Sequence, residues 1–264
     1  MSTFVIAEAA CTWRGTPDEV GTLRQMAEAV KAAGADALKI QWCSSAVQLA
    51  IQRNTKAHGY RLLTFDRDLL PKFSEICLDV RLEPMCSVFL PKDVSVVAPH
   101  VSRYKVASLE ARSVELVRAY AEVPAKPLYA SVGAMSVSEV ADTRALWKHH
   151  KQPDVSFLQC CAAYPAPLSG LSLGWLRSAS GIAGLSDHSH NILSGSWAVA
   201  AGATVIETHV RSEHCATDNP DYPVSFTLDE LALYVRLIRT AEVACGMEKR
   251  VHATERALVG ASVA

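Results

Sequence analysis

Eight short apolar runs, each followed by a helix-sized segment, constrain this chain more than any other feature. They fall at 3–8 (TFVIAE), 36–41 (DALKIQ), 82–87 (LEPMCS), 103–108 (RYKVAS), 127–131 (PLYAS), 155–159 (VSFLQ), 181–186 (GIAGLS) and 204–209 (TVIETH). Apolar runs of this length without strict alternation suit parallel strands covered by helices. Eight such units in 264 residues predict an α/β fold of the (β/α)8 TIM-barrel type, a single domain over 1–264. A doubly wound open sheet is the alternative, but no GxGxxG follows the first run, which weakens a dinucleotide-binding version of it. No low-complexity linker divides the chain, and 248–264 reads as a C-terminal tail.

Local signals place the helices between these runs. Thr16 reads as an N-cap, with Pro17 in the first helical position and Glu19 closing a capping box. Val20, Leu23, Ala27 and Val30 then mark one apolar face, and Gly34 ends it. Ser136 with Glu139, and Thr227 with Glu230, form two further capping boxes. The junctions AAGADALKIQ and AAGATVIETH share a helix end, Gly, Ala and strand. The stretch 42–65 is the least regular and reads as a long loop after the second strand, where such loops are often functional.

Composition removes several function classes. The formal net charge is −1, without a run of five or more like charges, so no nucleic-acid footprint is present. No apolar run reaches the ~18 residues that span a membrane. The opening MSTFVIAEAACTWRG lacks a basic segment and is interrupted by Glu8, so it is not a secretory signal, and the expected compartment is the cytoplasm. The 8 cysteines include no CxxC pair and read as reduced, mostly buried thiols.

The chemistry is expected where the strands end. Glu8, Lys39 with Gln41, Ser87, Lys105 with Ser108 and Glu110, Ser131, Ser186 with His188, and Glu207 with His209 all fall at C-terminal strand ends, where barrels build their sites. Ser186/His188 and Glu207/His209 are spaced two apart, so each pair faces one side of its strand. The last two strands are neighbours, so His188 and His209 can converge. Two imidazoles and a carboxylate suit a divalent transition metal, although hydrogen-bonded strand-end histidines satisfy the same spacing. His190 and His214 lie in polar loop sequence and read as solvent-facing. Lys39 and Lys105 interrupt apolar strands. They pair with an inward Glu, or they cradle a phosphate or carboxylate together with Ser87, Ser108, Ser131 and Ser186. AYPAP, with Tyr164, and NPDYP, with Asp221, are rigid Pro-bounded loops or simple turns.

The ordered set IAE, AGADALKIQ, YKVAS, KPLYASVGAMS, AYPAP, GLSDH, AVAAGATVIETH and NPDYPVSFTLDEL, over about 4–258, resembles the sialic acid synthase (N-acetylneuraminate synthase) family. The resemblance implies a metal-dependent condensation of phosphoenolpyruvate with an aldehyde acceptor, giving a 2-keto acid and phosphate. It implies metal ligands at His188 and His209, with Mn2+ the first choice and Mg2+, Co2+ or Zn2+ as alternatives. Lys39, Ser87, Lys105, Ser108, Ser131 and Ser186 match the positions that hold phosphoenolpyruvate. Glu8, Glu110, Tyr164 and Asp221 match positions around metal and acceptor, and Glu8 or Glu110 would handle the attacking water. Small-molecule substrates are the expected partners, with neither nucleic acid nor membrane, and a homodimer is the assembly the family suggests.

The departures concentrate on the acceptor. The family's NHNG is here TWRG (Thr12–Gly15), Ala162 replaces an Asn or Ser, STPF becomes CSVF, and SGE becomes SLE. The chain is expected to lack the family's C-terminal antifreeze-like domain, which lends an Arg to the partner subunit's site. The expectation is therefore a retained phosphoenolpyruvate half and an altered acceptor half near Thr12, Trp13 and Ala162. Two other functions remain open: a Schiff-base aldolase or lyase using Lys39 or Lys105, and a non-catalytic anion-binding module.

Overall fold

A computed structural model describes residues 2–150, 155–179, 181–246 and 251–256. Eight parallel strands close a barrel in chain order: β1 Phe4–Ala10, β2 Ala37–Trp42, β3 Glu83–Val88, β4 Arg103–Val106, β5 Leu128–Ser131, β6 Val155–Cys160, β7 Ile182–Asp187 and β8 Val205–His209. The expected barrel is the observed one, each strand lying within one or two residues of its predicted run. Around it stand α1 Glu19–Ala32, α2 Ala46–Gln52, α3 Leu69–Asp79, α4 Val94–Val97, α5 Val114–Ala121, α6 Val137–His149, α7 Leu173–Ser178, α8 Ser194–Ala200 and α9 Leu228–Ala244. Of the expected tail at 248–264, only 251–256 falls within the described residues.

The capping boxes at Ser136/Glu139 and Thr227/Glu230 are both formed. The one at Thr16 is not. Helix α1 begins at Glu19 behind Asp18, whose carboxylate accepts from Gly21 N at 2.8 Å, while Glu19 reaches back to Gly15 N at 2.9 Å. The anionic cap nearest the helix takes the orphan N–H, and Thr16 is left in the turn. Both Gly-Ala junctions turn on left-handed glycines, Gly34 at φ +86° and Gly202 at φ +103°. The irregular 42–65 stretch contains α2 and a 3-10 segment, Ala57–Leu63.

Period-two alternation divides each strand between two environments. Outward side chains such as Val5, Ala7, Leu38, Ile40, Val106 and Ile206 pack in the core between barrel and helices. Inward side chains change character along the axis. Arg103, bound to Glu83 at 2.6 Å and to the Tyr129 hydroxyl at 3.0 Å, closes the N-terminal end. Above it Ile6, Ala37, Met85, Tyr129, Leu158 and Val205 form an apolar floor. One step further up come Glu8, Lys39, Ser87, Lys105, Ser131, Ser186, Glu207 and His209, all buried. The floor keeps water from passing through the barrel, so the polar layer opens only at the C-terminal end.

Candidate active site

Strand register builds the polar layer. Glu8 lies beside both Lys39 and His209, Ser87 beside Lys105, and Ser186 beside Glu207. The close approach of β7 and β8 depends on Gly184, because a Cβ there would meet the Val205 carbonyl oxygen at 1.7 Å. The two lysines are both paired and donating. Lys39 Nζ donates to Ser87 Oγ at 2.9 Å, contacts Glu8 and lies 3.6 Å from Glu207; Lys105 Nζ donates to Ser131 Oγ at 2.8 Å and lies 3.3 Å from Glu207. The Ser186 hydroxyl donates to Glu207 Oε1 at 2.8 Å. Glu207 is therefore the hub of the layer. Burial alone would raise its carboxyl, but Lys105 and Lys39 outweigh burial and hold it well below the usual carboxylate range. Burial in turn lowers Lys39 to about 8, with Lys105 pushing the same way against the pull of Glu207.

These residues line a cavity of about 390 Å³ at the C-terminal end of the barrel. Of the residues expected in the site, Glu8, Lys39, Ser87, Lys105, Ser108, Ser131, Tyr164, Ser186, His188, His209 and Asp221 all border it. Glu110 does not: it is buried behind Arg53, which does border the cavity. Ser108 Oγ accepts from Gly133 N at 3.0 Å, a contact that fixes the hydroxyl at the rim.

His188 and His209 converge, with ring centroids 5.2 Å apart, and Tyr164 stacks on His188 at 4.4 Å. His188 Nδ1 donates to the Cys161 carbonyl at 2.9 Å, and Nε2 lies 3.2 Å from the Tyr164 hydroxyl; burial lowers the affinity of this ring for a proton, but the Cys160 thiol and the Cys161 carbonyl outweigh it and raise His188 above the ordinary histidine value. His209 Nδ1 is buried without a hydrogen-bond partner and lies 3.6 Å from Asp221 Oδ1. Burial, helped by His188 and Lys39, holds His209 well below the ordinary histidine value, so it is a neutral imidazole. Burial pushes Asp221 up to about 6, against the pull of His188 and Lys39. Among the described residues no group of three or more His, Cys, Asp or Glu stands in coordinating positions. The donor chemistry nonetheless fits a divalent cation: two convergent imidazoles, an adjacent carboxylate, and a buried lone pair on His209 with no partner.

The bystander histidines lie where expected. His190 is on the loop after β7 with its ring against Phe226, and His214 is exposed. The Asp of GLSDH has a structural task. Asp187 accepts from Ser189 N at 2.8 Å and from the Tyr234 hydroxyl at 2.9 Å, and contacts the Ser194 hydroxyl, tying β7 to α8 and α9. The described cysteines are free, as expected.

The TWRG segment departs from its expected place at the acceptor side. Thr12 and Trp13 are fully buried and do not line the cavity; the Thr12 hydroxyl sits 2.8 Å from the Ala9 carbonyl and 2.9 Å from the Val210 carbonyl, while Trp13 Nε1 donates to the Ala10 carbonyl at 3.0 Å. They follow the end of β1, where Ala10 takes a left-handed conformation (φ +46°). Ala162 does border the cavity. The stretch expected to form a functional loop after the second strand does border the cavity, through Arg53, Gly59, Tyr60, Leu62 and Leu63, with Phe89 and Leu109 beside them, although none of these residues was named from the sequence. Only the irregularity of that stretch signalled it.

Comparison with known proteins decides the relationship. The NeuB family model matches residues 26–250. The chain belongs to the NeuB family. The pseudaminic acid synthase of Campylobacter jejuni (strain 81-176) is 30% identical over 97% of this chain and 78% of its own length. The N,N'-diacetyllegionaminic acid synthase of Legionella pneumophila is 27% identical, over 100% of this chain and 80% of its own. The N-acetylneuraminic acid (sialic acid) synthetase of Leptospira borgpetersenii superposes with a TM-score of 0.84 at 22% identity, over 100% of this chain and 92% of that one, a likeness of fold. Membership in this family of synthases bears out the expected class, a phosphoenolpyruvate-dependent carbon–carbon bond-forming transferase. Among the described residues no helix is long and apolar enough to cross a membrane.

Proposed function

We propose that this chain condenses phosphoenolpyruvate with a sugar-like aldehyde, releasing phosphate and forming a 2-keto acid, with an acceptor wall of its own. The observation that carries this reading is the convergence of Lys39, Lys105, Ser87, Ser108, Ser131 and Ser186 with His188 and His209 on one cavity closed from below.

Phosphoenolpyruvate sits over the Lys39–Glu207–Lys105 layer. The two ammonium groups and the rim hydroxyls of Ser87, Ser108, Ser131 and Ser186 meet its phosphate and carboxylate. Glu207 holds the lysines in register so that the anion meets donors already oriented. His188, His209 and Asp221 would hold the divalent ion, Mn2+ first among Mg2+, Co2+ and Zn2+. When bound there, such an ion supplies Lewis-acid polarisation of the acceptor carbonyl. The enol carbon of phosphoenolpyruvate forms the new bond to the aldehyde carbon, water adds at C2, and the tetrahedral adduct expels inorganic phosphate. Glu8, a carboxylate at the cavity wall, positions that water and takes its proton. Tyr164 covers His188 from the open side and limits water access.

The test is phosphate release from phosphoenolpyruvate with Mn2+ and a panel of aldehydes, with 2-keto acid measured in parallel. Equal amounts of phosphate and 2-keto acid are expected, and no release with any aldehyde would overturn the reading. Lys39 and Lys105 are both engaged with Glu207 rather than free as nucleophiles, which opposes a Schiff base. Borohydride should therefore trap no lysine adduct.

A further inference from the structure

A second cavity, of about 510 Å³, opens between α1, the segment that follows β8 and the start of α9. Among the described residues it shares no lining side chain with the catalytic cavity. Arg211 is placed there by the end of the barrel. Its N–H donates to the Phe226 carbonyl at 2.9 Å, in the short bridge between Val210 and Phe226. Its half-buried guanidinium packs 4.6 Å from the centre of the Tyr222 ring. Stacking of this kind occupies the flat face of the guanidinium and leaves its N–H edge for another partner. Among the described residues that edge has neither a hydrogen bond nor an ion pair. The rest of the lining is mixed. Met26 and Leu228 are apolar, Gln25 brings an amide, and Asp229 and Glu213, with His214 3.5 Å from it, stand at the exposed edge.

We propose that this cavity binds a polyhydroxylated monocarboxylate of the sugar-acid class, with Arg211 as the fork for its carboxylate. A guanidinium edge with no partner inside the protein matches a carboxylate through two parallel hydrogen bonds. One arginine balances one negative charge, whereas a phosphate dianion would bring a second charge toward Glu213 and Asp229. Those carboxylates and the Gln25 amide suit hydroxyl groups instead, since a hydroxyl donates to a carboxylate oxygen and accepts from an amide. Met26 and Leu228 offer apolar surface to the carbon chain, and the volume lies in the range of small-molecule sites. The proposal does not rest on the condensing reaction, because no residue of the Lys39–Glu207–Lys105 layer takes part in it.

Calorimetric titration of the full chain with three probes, gluconate, sorbitol and glucose 6-phosphate, tests this. The wild type should bind gluconate with a Kd of about 1 mM or tighter, and sorbitol at least about tenfold more weakly, the worth of a charge-assisted hydrogen bond. Glucose 6-phosphate should bind more weakly than gluconate. Arg211→Ala and Arg211→Gln should each lose at least tenfold in gluconate affinity, Arg211→Lys should recover part of it, and Tyr222→Leu should lose part by freeing the guanidinium. Lys39→Met, which alters the catalytic cavity, should bind gluconate within twofold of the wild type. A cooperative melting transition within a few degrees of the wild type shows that each variant is folded. A wild type that does not bind gluconate would overturn the proposal, as would unchanged affinity in both Arg211→Ala and Arg211→Gln. Loss of gluconate binding in Lys39→Met would place the ligand in the catalytic cavity and overturn it too. Tighter binding of glucose 6-phosphate than of gluconate would overturn the assignment to a monocarboxylate.

Discussion

His188 and His190 sit two residues apart in GLSDHSHN and have different fates. His188 comes directly after β7 and borders the cavity with Nδ1 committed to a carbonyl, while His190 follows in a left-handed turn (φ +52°) with its ring against Phe226. Substituting His188 by Ala should lower Mn2+ affinity by at least tenfold and abolish phosphate release, whereas His190→Ala should leave both within twofold; Mn2+ titration and the phosphate assay check this. On the proposed function, Lys39 should carry the pH dependence of donor binding. Because burial lowers it to about 8, it is a cation below that pH and loses its proton above it. Phosphoenolpyruvate affinity should hold between pH 6.5 and 7.5 and fall as pH rises through about 8, by up to tenfold per unit. Binding measured across that range should show the fall in the wild type and lose it in Lys39→Met, whose affinity is low throughout.

At the scale of elements, the site depends on how close β7 and β8 come. Gly184→Ala forces a methyl into the Val205 carbonyl, backbone against backbone with no rotamer to relieve it. It should destabilise the fold by about 3 kcal/mol or more, seen as a lowered denaturant midpoint or a failure to express soluble protein. Thr227→Ala is the mild counterpart, since it removes only the N-cap of α9 and should cost about 1 kcal/mol in the same titration. The strands were legible because their apolar runs and Gly-Ala junctions are local. The start of α1 was legible only approximately: Thr16 and Asp18 both qualify as caps, and the choice was made by which one the helix axis reached. The loop at 42–65 was legible as irregular and functional, but which of its residues line the cavity was not, since a 3-10 segment leaves no periodic trace; nor was the burial of Thr12 and Trp13, just past the left-handed Ala10.

For the whole molecule, the decisive property is a closed barrel with an apolar floor and a polar upper layer. Closure makes β1 and β8 neighbours, which sets Glu8 beside His209 although about two hundred residues separate them. The described cysteines are free, so a reductant should leave the melting temperature unchanged to within about a degree; a drop on adding dithiothreitol would reveal a disulfide. The sequence by itself determined the eight repeated units, the strand-end position of nearly every polar residue and the family, because these depend on local periodicity and on short ordered motifs. Tertiary structure alone decided that Glu207 holds both lysines, that Glu110 lies behind Arg53, and which residues of the irregular loop after β2 line the cavity. Those contacts join residues on different strands and loops, and barrel closure, not neighbouring sequence, sets the distances between them.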